Sequence, residues 1–175
     1  MGAVSRRAGR RSGRHTSEPR TPWYGLQRAW LEPLEAEAQT VHGDRLRVGA
    51  FRGRRLYRVP VDVPGRIESV EITINFYEQP PYDCYDLPPS EYPRVFADAT
   101  GPSPHRMPND GALCLYYPRS APERRWRPEN GLLALIDLAR DHVFFEDYWR
   151  DTGGHDGGQW LGDEQPHGFP EQVSA

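Results

Sequence analysis

Apolar residues recur at helical spacing in two places along the chain and alternate with polar ones in three. Trp23, Leu26, Trp30 and Leu34 stand three or four positions apart, the repeat of one face of an α-helix. Thr21 followed by Pro22 offers that helix an N-cap and a proline at its first position. Pro33 should kink or end it, because proline has no N–H and its ring crowds the preceding turn. Leu46, Val48 and Ala50, then Tyr57, Val59, Val61 and Val63, then Val70, Ile72, Ile74 and Phe76 occupy every second position, which predicts three half-buried strands. Gly53 and the pair Pro64-Gly65 supply turns between them, so an antiparallel meander is expected rather than parallel crossovers. The passage 79–93 is too rich in Pro and Tyr for regular structure, and a short fourth strand is expected over 94–97. A second helix is predicted over 129–148, with Leu132, Leu135, Ile136, Ala139 and Val143 on its buried face and Asp137, Arg140 and Asp141 outside. Gly153-Gly154 should stop it.

The expected fold class is therefore α/β of the α+β kind: an N-terminal helix, a four-stranded antiparallel meander, an irregular segment and a C-terminal helix. One domain over 21–153 is predicted, after a basic tail (1–20) and before a glycine-rich loop and loose terminus (154–175).

Charge changes this picture only at the start of the chain. The net charge is −3, but residues 1–20 hold six Arg against one Glu, leaving the tail at +5 and the rest at −8. With almost no large apolar residues the tail reads as a disordered terminus. A nucleic-acid-binding arm is the lesser reading, and the aromatic residues of the second helix suit core and groove packing better than base stacking. No run approaches the roughly 20 apolar residues of a membrane helix. The first residues lack the apolar region of a leader, and Arg6 stands where a myristoylation signal has Ser or Thr. A cytoplasmic location without membrane contact is expected.

Only Cys84 and Cys114 are present, too few for a disulfide framework and without the spacing of a zinc or redox pair. A metal site from His105, Cys114, His142, His155 and His167 has no finger-like spacing to support it, and no cofactor is expected. Cys84 has no chemical context. Cys114 lies in Pro104-His105-Arg106-Met107-Pro108-Asn109-Asp110-Gly111-Ala112-Leu113-Cys114-Leu115, where a polar turn leads into an apolar strip carrying one thiol. Apolar neighbours often mean an inert core cysteine.

This segment resembles the catalytic segment of ubiquitin-conjugating enzymes, in which a His-Pro-Asn element and a polar turn precede Gly-x-Ile-Cys-Leu. Gly111 to Leu115 matches the second half, and His105 and Asn109 echo the first. Here two residues separate His105 from Pro108, and Asn109 lies closer to the thiol than in the eukaryotic enzymes. The chain more closely resembles the compact members found in bacterial type II CBASS antiphage operons. Their Asn-Asp-Gly-x-Leu-Cys-Leu-Tyr element is followed by Trp, a long helix with an aromatic pair and an acid, then Thr-Gly; this chain has Tyr116, Trp126, Phe144-Phe145-Glu146, Trp149 and Thr152-Gly153-Gly154 in that order. The resemblance covers roughly residues 21–150.

What the resemblance implies is a thioester carrier. Cys114 would accept the C-terminal carboxyl of a partner polypeptide, by analogy the operon's cyclic-oligonucleotide synthase, and pass it on. Asn109, or a backbone N–H after Gly111, would stabilise the oxyanion, while His105 would tune the thiol or brace the loop. No ATP site is visible, so activation of the acyl group is expected from another protein. Two rivals remain at this point: a cysteine hydrolase using Cys114, His105 and Asp110 as a triad, and a non-catalytic adaptor on the same fold.

Overall fold

A computed structural model describes residues 23–98 and 101–162; the basic tail and the end of the chain from 163 lie outside them. Helix α1 spans Arg28–His42, strands β1 to β4 span Arg47–Phe51, Arg54–Val61, Val70–Tyr77 and Arg94–Phe96, and helix α2 spans Gly131–Asp151. The strands form one antiparallel sheet in the order β1-β2-β3-β4. Two helices and a four-stranded meander are thus as the periodicity predicts.

The first helix departs from expectation at its start. It begins at Arg28, behind a single 3₁₀ turn at Tyr24–Leu26, and Thr21-Pro22 lies outside the described residues. The turn holds because Tyr24 packs edge-on against Trp30, with ring centroids 4.7 Å apart, and donates its hydroxyl to the Tyr77 carbonyl at 2.7 Å. Pro33 does not end the helix. Leu34 and Ala38 just beyond it are buried in the main core, and their packing offsets the backbone bond that proline cannot make.

The β1–β2 connection is a two-residue hairpin with both Arg52 (φ 44°) and Gly53 (φ 71°) left-handed, the geometry that suits the twist of paired strands. Tyr57, Val59, Val61, Val70, Ile72, Ile74, Phe76 and Val95 fill one face of the sheet and meet Leu34, Leu132, Leu135, Ile136, Ala139 and Val143 from the two helices in one core. Tyr57 also donates its hydroxyl to Glu35 at 2.6 Å, tying α1 to the sheet. The first strand, expected to be half-buried, is exposed at all five positions, because it is an edge strand beyond the cover of the helices.

The irregular passage 79–93 contains only one 3₁₀ turn, Pro89–Glu91, and builds a second, smaller cluster. Tyr82, Cys84 and Tyr85 pack there against Tyr92, Met107, Ala112 and Cys114. Arg94 lies over the Tyr82 ring at 3.8 Å. Helix α2 starts where the Trp126 indole donates to the Gly131 carbonyl at 2.9 Å, and runs three residues past its predicted end. No described helix is long and apolar enough to cross a membrane.

Candidate functional site

The chain beyond β4 returns beside it as an extended strip. The Leu113 N–H donates to the Val95 carbonyl at 2.8 Å, and Arg106 pairs antiparallel with Leu113. Side chains alternate along extended backbone, so Leu113 and Leu115 enter the main core while Ala112 and Cys114 join the smaller cluster. The two leucines that flank the thiol are therefore what turns it away from the main core.

Gly111 makes the strip possible. At φ 73° it sits where a side chain is strained, closing a turn in which its N–H donates to the Met107 carbonyl (2.8 Å) and the Met107 N–H to the Ala112 carbonyl (2.7 Å). Asp110 accepts from the Ala112 N–H at 3.1 Å and from Arg94 Nε at 2.9 Å. Both carboxylate oxygens are thus engaged in holding the turn. The Cys114 N–H donates to the His105 carbonyl at 3.0 Å. The backbone donors of Ala112, Leu113 and Cys114 all have partners, so none of these three is open to an oxyanion at Cys114.

Cys114 is 5% exposed and lines a cavity of about 330 Å³ with Tyr116, Tyr117, Arg124, His142, Phe145 and Trp160, among others. Burial pushes its thiol up to about 12; Arg94 opposes the rise, and the carboxylates of Asp110 and Glu146 add to it. In the free protein the group is a neutral thiol. Cys84 is half-buried and free, and burial raises its thiol too.

The other two predicted residues fall in different places. His105 is beside Cys114, and its ring lies 3.9 Å from the Trp160 ring, so it braces the loop through both its carbonyl and its ring. Asn109 is exposed and lines a separate cavity of about 280 Å³ with Tyr82, Tyr85, Arg94 and Asp110. Asn109→Ala is expected to leave stability within about 0.5 kcal/mol and single-turnover acyl transfer from Cys114 unchanged. A fall of roughly 10²-fold, the loss typical of one oxyanion donor, would show that the loop swings the amide onto the reacting carbonyl.

Four residues to which the sequence analysis gave no part in the chemistry of the thiol stand around it. His142 is 4% exposed and shares the cavity with Cys114, with Nε2 3.5 Å from Glu146 Oε1 one helical turn on. Arg106 grips Glu146 with Nε and Nη2 at 2.8 and 2.7 Å and also donates to the carbonyls of Ala97 and Asp98. Burial raises the Glu146 carboxyl, but the hydrogen bonds of Arg106 and the nearby His142 and Ser103 outweigh it and bring the group down to about 2. Trp160, from the glycine-rich loop, closes the cavity by packing against His105, His142 and Phe145. The signal for the helical pair was present: the apolar stripe of Ala139 and Val143 continues through a histidine and an acid, where a solvated face would be expected to begin. Neither a scan of protein-family models nor a search of curated proteins finds a match to this chain.

Proposed function

We propose that this protein is a ubiquitin-conjugating-like acyl carrier, which holds the C-terminal carboxyl of a partner polypeptide as a thioester on Cys114. The order of helix, antiparallel meander, thiol-bearing irregular segment and helix supports that fold. The observation that carries the function is the placement of Cys114: its leucine neighbours anchor the strip in the core, and Cys114 itself lines a cavity against α2. Sγ displaces an activated leaving group from the acyl carbon, and an acceptor later displaces Sγ. The activated acyl group comes from another protein. By resemblance to the CBASS members, the polypeptide is a cyclic-oligonucleotide synthase, whose signalling output its conjugation raises.

The absence of lysine sharpens the test. All 22 basic residues are Arg, whose guanidinium stays protonated at neutral pH and is a poor acyl acceptor. Incubating the loaded protein alone is expected to give hydrolysis or an adduct that thiols reverse, with stable isopeptides appearing only when a lysine-bearing protein is added. Peptide mass spectrometry after reductant treatment reads the outcome. A reductant-stable acyl group on an internal residue of this chain would refute the expectation.

A further inference from the structure

We infer that His142 is the general base of this site: it takes the proton from an amine attacking the Cys114 thioester and returns it to the departing Sγ. This rests on the thioester reading above and adds the class of acceptor, a primary amine entering the cavity between the thiol and α2.

Geometry carries the inference. His142 and Cys114 are both buried and line the same cavity. Behind the imidazole, Glu146 is fully buried and faces Nε2, and its own position is fixed by the two-pronged grip of Arg106. With Nε2 turned towards that carboxylate at 3.5 Å, Nδ1 is the ring nitrogen left to take a proton from the cavity. Other charged or titratable groups bear on the ring from each side: Asp141 and Arg124 line the cavity, His105 stands 6.4 Å away ring to ring, and Arg150 approaches Glu146 at 4.0 Å.

The step balances. The amine nitrogen forms a C–N bond to the acyl carbon while the C–S bond breaks, giving an amide and a thiolate. The proton lost by the nitrogen passes to His142 and then to sulfur, which restores a neutral thiol and a neutral imidazole. The high affinity of this buried sulfur for a proton makes unassisted expulsion of a thiolate slow, so proton return matters here more than at an exposed cysteine.

The test uses the full chain loaded with an acetyl-diglycyl thioester of mercaptoethanesulfonate, followed by discharge to n-butylamine. Mass spectrometry reads loading at Cys114, amide formed and acid released. His142→Gln is expected to load like the parent and to discharge to amine about 100-fold more slowly, within the range for loss of a general base. In His142→Ala, free imidazole should restore amide formation by occupying the vacated space, a rescue that a purely structural role for the ring would not give. If the Gln variant loads and discharges like the parent, or imidazole fails to rescue a folded Ala variant, His142 is not the base and the thioester reading survives. If no adduct forms on Cys114 in the parent, both readings fall.

Discussion

Arg106→Ala is expected to lower the free energy of unfolding by about 3–5 kcal/mol, the usual cost of removing one partner from a buried ion pair. Glu146 has no solvent exposure and takes two hydrogen bonds from Arg106, so the truncation strands a carboxylate inside the protein. The same guanidinium ties the carbonyls of Ala97 and Asp98 to α2, so the loop that carries His105 also loosens. Denaturant unfolding measures the loss, and a change below about 1 kcal/mol would contradict it. Replacing both partners, Arg106→Met with Glu146→Leu, should recover much of the stability, since no charge is then left unpaired. The pH dependence has a definite sign. Folding depresses the Glu146 carboxyl from 4.5 to about 2, so its contribution is fully present above about 4.5 and is lost as pH falls through that window towards 2. That contribution is on the order of 3 kcal/mol.

Native Cys114 is expected to react with iodoacetamide at pH 7.5 about a thousandfold more slowly than an ordinary cysteine, because the thiolate is the reacting species and burial pushes this thiol from 9.0 up to about 12. The rate should climb about tenfold per pH unit to beyond pH 10. Unfolding in urea should remove the protection. Peptide mapping separates this signal from Cys84, whose thiol is raised as well. A native rate at pH 7.5 equal to that of a free cysteine, levelling off near pH 9, would show that the thiol is exposed or activated in the free protein.

The sequence made the sheet legible because the alternation of Tyr57 to Val61 and of Val70 to Phe76 reflects burial on one face only. It also placed α2, whose apolar face was complete. Its errors arose where tertiary packing overrides local preference. Trp23 and Leu26 fit a helical repeat, yet the chain turns at Tyr24 because that ring and hydroxyl find partners on Trp30 and Tyr77. The candidate site was half legible. Cys114 stood out by its segment, and the alternation Leu113-Cys114-Leu115 already contained its orientation. His142, Glu146 and Trp160 did not stand out, because they reach the thiol from α2 and from a later loop, and only the packed fold brings them together. Asn109 stands differently: near the thiol in sequence, it lines a different cavity because the turn at Gly111 lies between them.

Under the proposed function Cys114 carries the acyl group. The most direct measurement is the intact mass of the protein purified together with a cyclic-oligonucleotide synthase and a source of activated C-termini, before and after thiol treatment. An adduct of the synthase that thiol removes is expected with the parent chain and with Cys84→Ala, and should be absent with Cys114→Ala. With Cys114→Ser the adduct should become a thiol-resistant oxyester or fail to form, since a serine oxygen is both a weaker nucleophile and a poorer leaving group. An adduct that survives Cys114→Ala and disappears with Cys84→Ala would place the chemistry on the other cysteine and contradict the account.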